Sequence, residues 1–120
     1  MKRFAYITAL LALMTIAMLH QSPAFSSNTK VHLGAHLPRW SVPIEENRFR
    51  SPWNWDQTTT WINRNYSRGQ FPRIDIVNLP GIKAVHLANR SGRGQFTGIN
   101  IYEMQDGQVR FYVLPKKSDN

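Results

Sequence analysis

The sequence predicts an α+β fold in which one N-terminal helix packs on a four-stranded antiparallel β-meander, after a signal peptide and an irregular arm. Three observations support this prediction. The last third of the chain contains four apolar runs, turn-forming residues separate these runs, and the stretch before them has helix-forming residues between a start and a stop signal. At 120 residues the chain is long enough for one domain.

The first two strands of the meander are predicted to form a hairpin around Pro80-Gly81. Proline presets φ at the second turn position, and glycine accepts the positive φ that follows. With these two residues as the loop, Asp75 is expected opposite His86. The apolar side chains that are then expected to share the core-facing side are Ile74, Ile76, Val85 and Leu87.

The last two strands are predicted to pair around Asp106-Gly107, a sequence that suits a two-residue type I′ loop. This register places Glu103 opposite Arg110 and so pairs opposite charges across the strands. Between the two hairpins, residues 89–94 are rich in glycine and polar side chains and therefore predict a loop.

The predicted helix runs from Pro52 to Arg68, with Ser51 as its N-cap and Gly69 as its stop signal. The stripe expected to cover the sheet consists of Trp55, Thr59, Ile62 and Tyr66. One helix followed by four antiparallel strands is similar in order to the cystatin-like fold and to small microbial ribonucleases. The chain carries neither an inhibitor-loop motif nor a strand-borne triplet of glutamate, arginine and histidine, so this likeness implies a fold and no activity.

The N-terminal residues resemble a secretory signal peptide. Lys2 and Arg3 supply its charged start, an apolar stretch of about 13 residues follows, and small residues mark a cleavage site near Ala24. This stretch is shorter than the roughly 20 residues that span a bilayer, so we expect a secreted or periplasmic protein without a stable membrane span. The predicted organisation is a signal peptide at 1–24, an irregular arm at 25–50, a single α+β domain at 51–115 and a flexible tail at 116–120.

The charge of the chain favours anionic partners. Removal of Lys2 and Arg3 with the signal peptide lowers the number of basic residues from 15 to 13, against 7 acidic ones, which gives a formal charge of +6. Nine of the 13 are arginines, whose planar guanidinium groups match phosphate, sulfate and carboxylate. The chain contains no cysteine, so the exported domain must be stable without disulfides.

The leading functional hypothesis is a secreted basic binding protein that engages an anionic polymer such as nucleic acid, a membrane surface or an acidic protein surface. The loop of residues 90–94 contains two arginines and two glycines, and the glycines free backbone N–H groups for an anion. The helix adds two more arginines and an indole for stacking. The predicted binding residues are Arg64, Arg68, Arg90, Arg93 and Trp61.

A second hypothesis is a small secreted, metal-independent ribonuclease or toxin. His86 is its expected general acid or base, and Asp75 is expected to orient the imidazole. A third is an inhibitor or immunity-type protein that inserts Trp40 or the segment 53–55 into a partner.

No cofactor or metal site is predicted. His32 and His36 stand four residues apart, which suits a metal only on a helix. Gly34 and Pro38 disfavour a helix there, so these imidazoles are expected to have structural roles.

Overall fold

The computed structural model describes residues 29–117, which form one helix and eight strands in two antiparallel sheets. The predicted signal peptide and the last three residues of the predicted tail lie outside this range. Within it, no helix is both long and apolar enough to cross a bilayer. In chain order the elements are β1 (Thr29–His32), β2 (Ala35–Pro38), β3 (Val42–Glu45), β4 (Arg48–Arg50), α1 (Trp55–Asn65), β5 (Arg73–Leu79), β6 (Ile82–Ala88), β7 (Phe96–Glu103) and β8 (Val109–Pro115).

The fold class predicted from the sequence is wrong. The protein is mostly β, its main sheet has six strands instead of four, and the helix lies in the middle of the described chain instead of at its N-terminal end. The segment predicted to be an irregular arm forms β1 to β4. These strands are only three or four residues long, too short for an alternating pattern to be recognised. Residues with positive φ, at Leu33, Gly34 and Asn47, make the tight turns between them.

The main sheet has the strand order β3-β4-β8-β7-β6-β5, and β1 and β2 form a separate hairpin. Helix α1 carries the chain from the β3–β4 hairpin at one edge to β5 at the opposite edge. The meander β5-β6-β7-β8 then returns across the sheet until β8 pairs with β4. In that last pair, Arg48 lies opposite Tyr112 and Arg50 lies opposite Arg110.

Helix α1 begins three residues later than predicted, because Asn54 and not Ser51 is its N-cap. The Asn54 side chain accepts a hydrogen bond from the Gln57 N–H at 2.9 Å, and the Gln57 side chain accepts one from the Asn54 N–H at 3.4 Å. This capping box satisfies two backbone donors of the first turn. The Ser51 hydroxyl forms a buried hydrogen bond of 2.7 Å with Thr58 instead.

The C-terminal end of α1 is held by an arginine from the sheet. The helix ends at Asn65, before the predicted Arg68. The Arg73 guanidinium donates to the carbonyl oxygens of the C-cap residue Tyr66 at 2.6 Å and of Ile62 at 3.4 Å, and it also donates to the Phe71 carbonyl in the following loop at 2.5 Å. Burial, together with the nearby charge of Arg68, lowers the pKa of Arg73.

One side of the main sheet forms the core, and α1 and the β1–β2 hairpin cover it. We call this the helix side and the opposite side the open side. The buried apolar residues are Ala35, Leu37, Phe49, Ile62, Tyr66, Leu87, Phe96, Ile99, Ile101, Val109, Phe111 and Val113. No element of the described chain packs on the open side, where the side chains are half-buried or exposed.

Tyr66 joins the β1–β2 hairpin to the end of α1. Its hydroxyl accepts a hydrogen bond from the His36 N–H at 2.7 Å and donates one to the His36 carbonyl at 2.5 Å. Burial raises the pKa of Tyr66 above its ordinary value and lowers the pKa of His36. The phenol therefore replaces a strand partner for the backbone N–H and carbonyl of one residue of β2.

Candidate anion-binding surface

A β-bulge sets the register of the β5–β6 hairpin. The predicted loop at Pro80-Gly81 is confirmed, and Leu79 pairs with Ile82 beside it. Between Asp75 and Val77, however, β5 has one extra residue that has no partner on β6. Because of this bulge, the residues of β5 before it pair one position away from where the turn alone would place them.

The bulge separates Asp75 from His86, so the predicted pairing of these residues is wrong. Asp75 lies opposite Val85, whereas His86 lies opposite Ile74. Because neighbouring residues of a strand point to opposite faces, Asp75 is on the helix side and His86 on the open side. Ile74 was predicted to share the core with Leu87, but it is exposed on the open side.

His86 lies flat on the neighbouring strand. Its Nδ1 is 2.7 Å from the Asn100 side-chain oxygen, and because a carbonyl oxygen can only accept, Nδ1 carries the proton. A Cβ at Gly98 would come within 2.7 Å of the imidazole, so only glycine leaves room for the ring there. An amide, and not a carboxylate, therefore orients this histidine.

Asp75 lines a groove of about 360 Å³ between α1 and the helix side of the sheet. Arg68, one of the predicted binding residues, lines the same groove together with Arg73. The carboxylate offsets part of the positive charge there. This groove is consequently a weaker anion site than its two arginines alone would make.

The β7–β8 hairpin also has a different register from the predicted one. The Met104 N–H bonds to the Gln108 carbonyl and the Gly107 N–H to the Met104 carbonyl, so the loop contains three residues instead of two. Gly107 has a φ of 88°, as the last position of such a loop requires. As a result, Arg110 pairs with Tyr102, and Glu103 lies opposite Val109 on the helix side. The predicted ion pair between Glu103 and Arg110 is wrong.

These registers gather three arginines and two tyrosines on the open side of β4, β8 and β7. Arg50, Arg110 and Tyr102 lie side by side in one row across the strands. In the next row, Arg48 lies opposite Tyr112 and its guanidinium carbon is 4.4 Å from the centre of that ring. We call Arg48, Arg50, Arg110, Tyr102 and Tyr112 the arginine–tyrosine face.

The positive charge of the arginine–tyrosine face is largely uncompensated. Side chains directly opposite each other have Cβ atoms about 4.5–5.5 Å apart, so Arg50 and Arg110 repel one another. Glu45 is the only acidic residue of the described chain on a strand position of the open side, and its carboxylate is 3.9 Å from Arg48. Arg50 and Arg110 form no ion pair with any residue in the range 29–117, and the buried Nε of Arg110 has no hydrogen-bond partner there. The face thus has unused donors for an anion.

The two predicted helix residues, Trp61 and Arg64, line an open groove of about 360 Å³ with Trp53 and Asp56. Trp61 and Trp53 also line an adjoining groove of about 280 Å³, together with Trp40. The indoles are thus shared between two grooves on the outer side of the helix. Arg64 and Arg39 line these grooves beside one carboxylate, that of Asp56, so this surface has a smaller excess of positive charge than the arginine–tyrosine face.

The predicted loop arginines occupy an ordered connection between β6 and β7. The Asn89 side chain donates to the carbonyls of Arg93 and Phe96 and accepts from the Ser91 N–H and hydroxyl. Arg90 and Arg93 are exposed on this loop. Neither arginine lines a groove with Trp61 or Arg64, and Arg68 lines a third groove, so the predicted binding residues are spread over several surfaces.

The arginine–tyrosine face was not predicted from the sequence. Arg48 and Arg50 were assigned to an irregular arm, and Arg110 was assigned an ion pair with Glu103. One signal was present: Arg110-Phe111-Tyr112 alternates polar and apolar side chains within a predicted strand, as half-buried strands do.

No similarity to a known protein indicates a function for this chain, so the function is proposed from the geometry of its surface. No protein-family model, no curated protein and no solved structure matches the chain. Across residues 29–117, no three His, Asp or Glu side chains come together as a metal site would require. His32 bonds to Asn47 at 2.7 Å, while His36 Nδ1 lies 3.2 Å from the Thr29 hydroxyl.

Proposed function

We propose that this protein is a secreted basic binding protein whose arginine–tyrosine face engages a partner with closely spaced anionic groups. One observation carries the proposal: Arg50 and Arg110 lie opposite each other, without a carboxylate between them. Like charges in this position destabilise a sheet. An anion bound between the two guanidinium groups relieves the repulsion and satisfies their free donors.

The neighbouring groups support the same function. Tyr112 holds Arg48 by a cation–π contact, and the Arg48 guanidinium donates to the Tyr102 hydroxyl at 3.1 Å. These contacts orient a third positive charge beside the first two. Phosphate, sulfate or carboxylate groups can therefore be bound at several points along β4 and β8.

A pair of double variants tests the proposal. Arg50→Gln/Arg110→Gln removes two charges from the arginine–tyrosine face, and Arg90→Gln/Arg93→Gln removes two from the exposed loop. The first is expected to raise the Kd for a fluorescein-labelled single-stranded oligonucleotide about tenfold or more, because charge-assisted hydrogen bonds are lost. The loop variant is expected to have a much smaller effect. Fluorescence anisotropy at low and high salt gives both values, and binding of the unchanged protein should weaken as salt rises.

Stability provides the matching control. Removal of Arg50 and Arg110 is expected to leave the free energy of unfolding unchanged or to raise it by about 0.2–1 kcal/mol, because it removes a repulsive cross-strand pair.

Equal loss of binding in the two double variants would show that only net charge matters. Unchanged affinity in Arg50→Gln/Arg110→Gln would rule out the face as the binding site.

A further inference from the structure

The β5–β6 hairpin exposes an unusual share of the large apolar side chains. Of eight such exposed residues in the described chain, four lie in this hairpin. The exposed fractions are 56% for Ile74, 53% for Ile76, 58% for Leu79 and 48% for Ile82. Clustered exposed aliphatic side chains on a small protein indicate a surface that binds a membrane or an apolar protein surface.

Three of these side chains point to the same side of the sheet as the arginine–tyrosine face. Ile82 and His86 are four residues apart on β6, so both are on the open side. Leu79 lies opposite Ile82, and Ile74 lies opposite His86, which places them there too. We call Leu79 and Ile82 the aliphatic tip, because both flank the Pro80-Gly81 turn, whereas Ile74 lies near the other end of β5.

The open side therefore has exposed aliphatic side chains on the β5–β6 hairpin and its arginines on β4 and β8, and Val42 of β3 is also exposed opposite Arg50. Two inter-strand steps of about 4.8 Å separate Arg110 on β8 from Ile82 on β6, and four separate Arg50 on β4 from Leu79 on β5, so the arginines and the aliphatic tip are roughly 10–19 Å apart across the strands. A soluble polyanion offers charge at this distance but no apolar phase. The interface of an anionic bilayer offers both, because headgroup phosphates lie directly above acyl chains.

We infer that the partner of the arginine–tyrosine face is an anionic lipid surface, with the aliphatic tip inserted among the acyl chains and the arginines on the headgroups. This inference rests on the proposed function. The position of Leu79 and Ile82 beside the Pro80-Gly81 turn supports it, since a projecting turn can enter a fluid phase without a matching pocket. Insertion supplies the apolar part of the affinity, and the arginines make it depend on anionic lipid.

Vesicle sedimentation tests the inference. The purified protein is mixed with phosphatidylcholine vesicles, with and without phosphatidylglycerol, beside the variant Leu79→Ser/Ile82→Ser. The variant is expected to lower the partition coefficient for phosphatidylglycerol vesicles about tenfold or more, because two exposed aliphatic side chains no longer leave water. The control Val31→Ser changes an exposed aliphatic residue of the separate β1–β2 hairpin and should bind as the unchanged protein does. All variants share the same N-terminal residues, so the difference reports on the tip alone.

Binding to the labelled oligonucleotide separates this inference from the proposed function. Leu79→Ser/Ile82→Ser should retain oligonucleotide affinity, which also shows that it is folded, whereas Arg50→Gln/Arg110→Gln should lose both ligands. Vesicle binding that is unaffected by the tip substitutions would overturn the lipid inference. Oligonucleotide binding without vesicle binding would also overturn it and leave the proposed function intact, whereas failure to bind either ligand would end both.

Discussion

At the scale of single residues, a few polar side chains join elements that also meet in the apolar core. Tyr66 is the clearest case, because one hydroxyl bonds to both the N–H and the carbonyl of His36. Arg73 has a comparable role at the helix end, where its guanidinium reaches three carbonyl oxygens. Such contacts are specific, since no apolar side chain of the same shape satisfies a buried peptide group.

Tyr66→Phe is therefore expected to destabilise the protein by about 1–3 kcal/mol, the cost of leaving buried polar groups unpaired. Urea unfolding measures this free energy. The control Tyr112→Phe removes a hydroxyl from the open side that bonds to nothing within residues 29–117, so it should change the stability little. A Tyr66→Phe protein as stable as the original would show that the hydroxyl does not anchor the β1–β2 hairpin.

At the scale of elements, single-residue shifts in strand register decide which side chains meet. The three-residue loop between β7 and β8 moves Glu103 away from Arg110. The bulge in β5 moves Asp75 away from His86. Both shifts increase the uncompensated charge and the exposed apolar area of the open side. The binding surface is thus a consequence of loop and bulge geometry.

Gly107→Ala tests the positive φ at the last position of the loop between β7 and β8. Gly107 has a φ of 88°, where a side chain costs about 1–2 kcal/mol, although there is open space for the new Cβ. Gly69→Ala is the matched control, because Gly69 also has open space and does not have a positive φ. We expect the first variant alone to lower the free energy of unfolding in urea. Equal stabilities would contradict the positive φ at this position.

Part of the fold was predictable from the sequence. The four apolar runs of the last third do form antiparallel strands, because each is long enough to alternate and each is bounded by turn residues. The helix was also found, but its start was misplaced, since Ser51 and Asn54 are both acceptable N-caps and tertiary contacts decide between them. Sequence cannot separate a two-residue loop at Asp106-Gly107 from a three-residue loop that ends there. For that reason the candidate site was missed although its strands were identified.

At the scale of the whole molecule, the sheet exposes its open side, and both of its edge strands have features that limit pairing with another chain. The edge strand β3 contains Pro43 and a register shift, and the edge strand β5 contains a bulge. Proline and bulges are features that limit edge-to-edge pairing with another chain. The open side is left as the surface where aliphatic and basic groups meet. The apolar core of this cysteine-free domain lies on the helix side, so its stability does not depend on apolar packing against the open side.

The central claim is that anions bind to the arginine–tyrosine face, and amide chemical-shift mapping by NMR tests it most directly. The labelled oligonucleotide is titrated into isotopically enriched protein at low salt. The account predicts that the largest shifts occur at residues 48–50, 100–102 and 110–112, which lie on three adjacent strands. Largest shifts at residues 90–93, or at Trp61 and Arg64, would contradict it and place the anion site on the loop or the helix instead.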